Sequence, residues 1–277
     1  MNQSTFAPTH VLWAVVCLMG VSASHGQSII PVNPPEIRPG VLAGYLPRAQ
    51  LPNSLRLLPP PPAPGSAQQA AEEASSKAAL AQAGSARWQL AAQDAVLKFP
   101  AAANVFSCTL NAPISEKETP QLYTLLRRSY VDAGLSSYAA KDHYARVRPF
   151  VTFKTASCTP EDEPGLAKDG SYPSGHAAIG WAWGLLLAEM APTKAQALLE
   201  RGKAYAQSRQ ICAVHWQSDV DAGQLVGSAT VARLHADTVF KAQLLAAQAE
   251  LAEVMGRGAN AGLDCAKEAA ALGLNAP

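Results

Sequence analysis

The segment Ala177–Ala191 (AAIGWAWGLLLAEMA) most constrains the fold of this 277-residue chain, because it is apolar on nearly every side of a helix. A helix without a polar face is stable in a soluble protein only where other elements cover its whole surface. The segment is also shorter than the roughly 20 residues that a membrane span needs. It therefore predicts a helix at the centre of a soluble core.

The chain from residue 86 onward also favours helices. Alanine is common, β-type alternation is scarce, and a capping-box pattern at 115–118 (SEKE) precedes a periodic apolar segment. We expect that segment to form a helix ending at Gly134. The other expected helices cover 136–147, closed by Pro149, then 194–209, and 219–255 as one helix or two. The predicted fold class is all-α, with a single compact helical domain over residues 86–277, the expected catalytic domain.

Two segments precede that domain. Residues 1–26 predict a signal peptide, since the apolar run Val11–Val21 is followed by small residues up to Gly26. The alternative is a short membrane anchor that stays attached. Residues 27–85 form a Pro/Ala-rich extension, with a marginal helix at 68–84 and a PPPPAPG run that excludes regular helix. This extension is interpreted as an extended arm or tether, or as an ordered belt around the domain.

Four cysteines remain once the signal peptide is removed: Cys108, Cys158, Cys212 and Cys265. An even number in an exported chain predicts two disulfides, and the alternative is four buried free thiols. We predict Cys158–Cys212, which would tie two candidate anion-binding segments together, and Cys108–Cys265, which would pin the polar C-terminal tail. The expected location is periplasmic, as a secreted protein with no membrane association after signal removal.

The charge balance leaves anion binding to local clusters. Lys+Arg 22 against Asp+Glu 21 gives a net charge of +1, which provides no general attraction to nucleic acid or anionic membranes. The first basic cluster is KDHYARVRP, in which Lys141 and Arg148 are seven residues apart and are expected on one face of a helix. Two such cations can clamp a dianion. The alternative is a solvated basic face.

Two further clusters carry histidines. In the first, Pro173-Ser174-Gly175-His176 leads directly into the apolar helix, whose N-terminal N–H groups can bind an anion. The alternatives are a plain N-cap at Ser174 and a structural histidine. In the second, Arg209 precedes His215, and Asp219 follows four residues later, where its carboxylate could orient the ring. The alternative is that Asp219 caps a helix and His215 packs in the core.

Together the three clusters resemble the tripartite signature of the type 2 phosphatidic acid phosphatase superfamily. The segments KDHYARVRPF, GSYPSGHAAIGWAW, SRQICAVHWQSDVDAG and VGSATVARLHAD are similar to those of the bacterial class A non-specific acid phosphatases. The resemblance covers about residues 86–254. It implies a metal-independent acid phosphatase of broad specificity that acts on small phosphate monoesters through a phosphohistidine intermediate. Transfer of the phosphoryl group to an alcohol is also chemically available.

The resemblance implies a role for each matched residue. His215 would be the nucleophile, Asp219 its orienting partner and His176 the general acid for the leaving group. The residues implied to surround the phosphoryl oxygens are Lys141, Arg148, Ser174, Gly175 and Arg209. Phosphoryl transfer needs in-line positioning and neutralisation of charge on the oxygens, and three cations with a helix N-terminus can provide both.

Rival functions share parts of this pattern. A vanadium-dependent haloperoxidase uses the same pocket for vanadate and is the main alternative; a membrane lipid phosphatase would need several spanning helices, and a binding protein would need the whole constellation to be inert. The sequence has no convincing set of metal ligands, so no metal or other cofactor is expected. The expected partners are small phosphomonoesters and not nucleic acid. The oligomeric state is left open, although enzymes of the resembled class are commonly homo-oligomers.

Overall fold

The computed structural model describes residues 1, 30–31, 33–257 and 264–273, so the predicted signal peptide lies outside the described residues apart from Met1. Short 3₁₀ turns occur at 48–50, 101–106, 160–162 and 192–194. In chain order the elements are β1 (Glu36–Arg38), β2 (Val41–Leu42), α1 (Ser54–Leu57), α2 (Ala67–Leu80), α3 (Ala86–Asp94), α4 (Ser107–Leu110), α5 (Pro120–Ser136), α6 (Tyr138–Tyr144), α7 (Pro149–Phe153), α8 (Glu163–Leu166), α9 (Gly175–Met190), α10 (Ala195–Ile211), α11 (Gln217–Leu234), α12 (Thr238–Gly256) and α13 (Cys265–Leu272).

Helix α9 lies at the centre of the fold, as its apolar sequence predicts. It packs against α10, α11 and α5, and α12 packs on the outer side of this group against α5. Trp183 and Leu186 of α9 are completely buried. Gly184 and Gly202 allow α9 and α10 to approach closely, because a Cβ atom at Gly184 would lie 3.1 Å from Gly202 Cα. Strands β1 and β2 form one small antiparallel hairpin, and the all-α fold class is confirmed.

The capping-box prediction at 115–118 is wrong. Ser115 Oγ accepts from the Glu118 N–H at 3.0 Å, but α5 begins later, at Pro120. The first free N–H groups of α5, at Gln121 and Leu122, donate instead to the carboxylate of Glu250 on α12 at 3.1 and 2.9 Å. A side chain that is distant in sequence therefore caps this helix, and Ser115–Glu118 forms the turn before it.

The predicted limits of the next helices also need correction. Gly134 lies inside α5, which runs on to Ser136, and faces Ile179 of α9. Helix α6 ends at Tyr144 and not at residue 147, because Ala145 adopts the left-handed conformation with φ 40°. The expected helices at 194–209 and 219–255 are observed as α10, α11 and α12.

The described part of the Pro/Ala-rich extension is an ordered belt and not a free arm. Buried Asp132 of α5 accepts from the backbone N–H groups of Tyr45 and Leu46 at 2.8 and 3.1 Å. Tyr172 donates its hydroxyl to the carbonyl of Pro59 at 2.8 Å. Tyr45 and Leu46 are also part of the main hydrophobic core. The belt and the helices therefore share one packed interior.

Both predicted cysteine pairs are bonded in the structure. Cys158 and Cys212 have Cα atoms 4.7 Å apart, and Cys108 and Cys265 have Cα atoms 5.4 Å apart. The Cys158–Cys212 bridge lies in a small second core with Phe150. The Cys108–Cys265 bridge joins α13 to α4.

In the described ranges, no helix combines the length and the apolar character needed to cross a membrane.

Candidate active site

Lys141 and Arg148 meet at one end of the fold, but not because they share a helix face. Lys141 is on α6, whereas Arg148 is the N-cap residue of α7, beyond the left-handed turn at Ala145. The turn brings both cations to the same acceptors: Asp169 Oδ2, at 3.4 Å from Lys141 Nζ and 3.0 Å from Arg148 Nη2, and the carbonyl of Gly170. Burial, followed by the charge of Arg148, lowers the pKa of Lys141 to about 8.

Ser174 and Gly175 form the N-terminus of α9. Ser174 Oγ accepts from the Ala177 N–H at 3.2 Å, so the N-cap alternative describes this contact correctly. The hydroxyl hydrogen of Ser174 stays available as a donor. The Ser174 backbone N–H donates to the carbonyl of Asp219 at 2.8 Å, which joins the start of α9 to α11.

His176 is oriented by a backbone carbonyl. Its Nε2 lies 3.0 Å from the carbonyl oxygen of Ala95, at the end of α3. A carbonyl only accepts hydrogen bonds, so Nε2 carries the hydrogen and Nδ1 is left to exchange a proton with a bound molecule. Burial, and then the charge of Arg209, lower the pKa of His176 well below its usual value, while the Ala95 carbonyl acts in the opposite direction.

His215 lies between Arg148 and Asp219. Its Nε2 is 3.0 Å from Arg148 Nη1, and its Nδ1 is 3.4 Å from Asp219 Oδ2. A guanidinium only donates, so Nε2 accepts and the ring hydrogen is on Nδ1, which has no hydrogen-bond partner within the described part of the chain. Burial is the main cause that lowers the pKa of His215 well below its usual value, and the nearby cations add to it. The lowered pKa favours the neutral ring, in which the Nε2 lone pair accepts from Arg148.

Asp219 is held by groups other than His215. Its Oδ2 accepts from the Trp216 N–H at 2.8 Å, so Asp219 also caps α11, as the alternative interpretation expected. Its Oδ1 forms an ion pair with Arg146 at 2.7 Å. Arg146 in turn pairs with Glu72 of the belt, also at 2.7 Å. The sequence analysis missed both of these residues, although Arg146 stands as a third cation between Lys141 and Arg148.

Arg209 carries hydrogen-bond donors without acceptors. It is fully buried near the end of α10, and within the described part of the chain its Nε and Nη1 have no hydrogen-bond partner. Burial lowers the pKa of Arg209 to about 10. Buried donors are nearly always satisfied. The unsatisfied guanidinium is therefore typical of a site that binds an anion.

A cavity of about 440 Å³ opens over these groups, a size that suits a small molecule. Its polar end is formed by Lys141, Arg148, Gly175, His176 and His215, and the rest of its wall is mainly apolar. That wall includes Ile37, Val41, Leu97, Leu135, Tyr138 and Leu166, together with the polar residues Arg38, Ser137 and Asp169. Of the predicted site residues, five line this cavity, while Asp219, Ser174 and Arg209 are buried in the segments that form it.

Within residues 30–31, 33–257 and 264–273, no three His, Cys, Asp or Glu side chains cluster closely enough to hold a metal ion.

Comparisons with known proteins identify the family of the chain. The family model of the PAP2 superfamily matches residues 122–241, which include all of the predicted catalytic and anion-binding residues. A non-specific acid phosphatase of Providencia stuartii is 42% identical over 245 residues, which cover 88% of this chain and 98% of the relative.

Two more relatives match a smaller part of the chain. A non-specific acid phosphatase of Salmonella typhimurium is 45% identical and covers 61% of this chain and 68% of its own length. An acid phosphatase of Zymomonas mobilis is 40% identical, with 61% of this chain and 64% of the relative covered. The chain therefore belongs to the PAP2 superfamily and, within it, to the acid phosphatases.

Proposed function

We propose that this acid phosphatase hydrolyses phosphate monoesters without a metal ion and through a phosphohistidine formed on His215. The observation that supports it most is the position of His215 in the lining of the cavity, where its Nε2 accepts from the Arg148 guanidinium at 3.0 Å. An arginine that binds a phosphoryl oxygen from this position would present the phosphorus atom to Nε2.

The cationic groups take the part that a metal ion has in other phosphatases. Lys141, Arg148 and Arg209 would neutralise the phosphoryl oxygens, and Ser174 with the N-terminus of α9 at Gly175 would donate further hydrogen bonds. The unsatisfied donors of Arg209 support this assignment. A divalent cation would be repelled by the same three side chains. Full turnover in excess chelator is therefore expected, and rescue by one divalent ion would contradict the assignment.

His176 would donate a proton in the first chemical step and accept one in the second. In the first step Nε2 of His215 bonds to phosphorus, the bond to the leaving oxygen breaks, and His176 Nδ1 gives that oxygen a proton. In the second step water attacks phosphorus, His176 takes a proton from the water, and the phosphorus–nitrogen bond breaks to release inorganic phosphate. His215 returns to its neutral form, and the reaction is balanced.

The wall of the cavity supports broad specificity. It is mainly apolar and offers few hydrogen bonds to a leaving group, so selectivity rests on the phosphoryl group that every monoester shares. Small phosphomonoesters would be the substrates, and an alcohol could take the place of water in the second step. The relatives are named acid phosphatases, so the haloperoxidase alternative is not favoured.

The proposed location is the periplasm, after removal of residues 1–26. The apolar run before Gly26 and the two disulfides support export to an oxidising compartment. N-terminal sequencing of the protein recovered from the periplasm would locate the cleavage site.

A partition experiment tests the covalent intermediate. Nitrophenyl phosphate, a nucleoside monophosphate and a sugar phosphate are each turned over in the same fixed concentration of glycerol, and glycerol phosphate and inorganic phosphate are measured. A common phosphoenzyme predicts one product ratio for all three substrates, because the leaving group has departed before the acceptor reacts. A ratio that changes with the leaving group would contradict the proposal.

A further inference from the structure

A continuous line of alternating charges leads from the belt to His215. Glu72 of α2 pairs with Arg146, Arg146 pairs with Asp219, and Asp219 Oδ2 lies 3.4 Å from His215 Nδ1. Glu72 also accepts from the Ser218 N–H at 2.6 Å, and Gln69 of α2 accepts from Arg146 Nη2 at 2.7 Å. The belt is thus bonded directly to the segment that carries Asp219.

The line is almost completely excluded from water. The exposed fraction of the side chain is 7% for Glu72, 10% for Arg146 and 0% for Asp219. Solvent and salt screen charges weakly at such depth, so each charge alters the protonation of its neighbour. Burial raises the pKa of Asp219, and the Arg146 charge, followed by the hydrogen bonds from Trp216 and Arg146, opposes that rise.

Other charged or titratable groups also face this line. His215 is faced by three cations and by the second histidine of the site, and Tyr172 is close to Asp219, Arg146 and Glu72. The full set around His215 and Asp219 is Lys141, Arg148, Arg209, His176, Arg146, Glu72 and Tyr172, with Asp169 on the far side of Lys141 and Arg148. Within this set, Arg146 forms the ion pair with Asp219 and Glu72 the ion pair with Arg146, and neither is among the residues proposed to bind the phosphoryl group.

We propose that Arg146 and Glu72 are positioning residues that hold Asp219 and thereby set the lowest pH at which His215 stays neutral and able to attack. This inference rests on the proposed function of His215 as nucleophile. It gives the belt a part in the chemistry, because Glu72 is supplied by α2.

The two charges must act on His215 in opposite directions. Asp219 favours the protonated ring, and Arg146 offsets part of that effect. Without Arg146 the pKa of His215 rises, so the ring becomes protonated and inactive at a higher pH. Without Glu72 the Arg146 charge is less compensated, the pKa of His215 falls, and activity extends further into acid.

The variants Arg146→Met, Glu72→Gln and the double variant test this sign difference. kcat/KM for nitrophenyl phosphate is measured between about pH 4 and 7, which spans the acid side of the usual histidine range. At each pH, kcat/KM of the variant is divided by kcat/KM of the wild type. The ionisation of the substrate affects both enzymes equally, so it does not affect this ratio. Arg56→Met removes an exposed arginine of α1 and is the matched control.

Opposite slopes are expected. For Arg146→Met, the ratio of kcat/KM to the wild-type value falls toward acid pH, by up to about tenfold if the pKa of His215 shifts by one unit. For Glu72→Gln, the same ratio rises at every pH at which the wild type loses activity. The double variant follows Arg146→Met, and it keeps the test valid if Arg146→Met alone fails to fold around an unpaired Glu72. Ratios that are independent of pH, or that slope in the same direction for both single variants, would overturn the inference.

A titration without turnover separates this inference from the proposed function. The rings of ¹³C-labelled histidines are titrated by NMR in the free enzyme, and His215 is assigned by the signal that His215→Asn lacks. The expected order of pKa values is Arg146→Met above wild type above Glu72→Gln. If this order is absent while a phosphohistidine is trapped, the inference alone fails; if the order holds and no phosphohistidine forms, the proposed nucleophile is wrong.

Discussion

The two histidines of the cavity have different surroundings. His215 is tied to a line of ionised groups, with Arg148 on one nitrogen and Asp219, Arg146 and Glu72 behind the other. His176 has a neutral partner, the carbonyl of Ala95. A nucleophile must stay neutral in acid and then carry the phosphoryl group, so fixed charges on both sides suit it. A general acid must change its protonation state as substrate binds, and a neutral partner leaves that change to the substrate.

The largest effect that separates the two histidines is expected from His176→Asn. Esters with poor alkoxide leaving groups should lose about 10²–10⁴-fold in kcat/KM, the usual contribution of a general acid. This parameter reports only the steps up to departure of the leaving group, so it excludes the second step, in which His176 would act as base. Nitrophenyl phosphate should lose much less, because its leaving group departs without a proton. Steady-state kinetics on both substrates check this, with His176→Gln as the matched variant. Equal losses on both would make His176 a phosphate ligand and not the acid.

A smaller effect is expected in the pH dependence. The pKa of His176 is well below its usual value in the free enzyme, because of burial and then Arg209. A bound phosphate dianion should raise it, so the decline of kcat at high pH should begin at a higher pH than the decline of kcat/KM. The optimum of kcat is expected at about pH 5–6, from the usual histidine pKa.

The pH profile of His176→Asn is the control. The ionisation of the substrate contributes equally to the pH profiles of the wild type and of the variant. The wild-type profile divided by that of the variant therefore shows the titration of His176 alone. With an ester that has a poor alkoxide leaving group, the variant should lose the high-pH decline in kcat. A decline that persists unchanged would assign it to another group, such as Lys141, whose pKa is about 8.

The smallest effect on turnover is expected from the disulfides. Cys158–Cys212 is on the His215 side, since Cys212 lies three residues before His215. Cys108–Cys265 fixes α13, whose Glu268 pairs with Arg201, which in turn pairs with Asp94, next to Ala95. Replacing either pair by alanine should cost roughly 3–5 kcal/mol of stability at most in the chain-entropy model. Only the loss of Cys158–Cys212 should lower kcat severalfold. Thermal melts and kcat on both variants check this, and equal loss of kcat would contradict the distinction.

Much of the fold and of the site could be predicted because it depends on short, local sequence patterns. The central helix followed from an apolar segment without a polar face, and the residues of the polar end followed from three short motifs. The reason given for Lys141 and Arg148 was wrong, since a left-handed alanine at 145 ends α6 between them. Alanine carries no signal for that conformation, so periodicity alone extended the helix.

The parts that sequence reasoning missed depend on long-range or backbone contacts. Glu72 and Arg146 are 74 residues apart and meet only because the belt folds back on the domain. The partner of His176 is a backbone carbonyl, and Ala95 has no side-chain feature that distinguishes it from other alanines. Motif spacing identifies the groups at the polar end of the cavity, whereas the groups behind them require the folded structure.

The most direct test of the central claim is to trap the phosphoenzyme. Wild type and His215→Ala are mixed with ³²P-labelled substrate and quenched in alkali within one turnover, and the labelled peptide is sequenced by mass spectrometry. The account predicts phosphate that is stable in base and labile in acid, bound to His215, and absent from His215→Ala, which should have lost at least about 10³-fold in kcat. Phosphate on Ser174, or full turnover by His215→Ala, would contradict it.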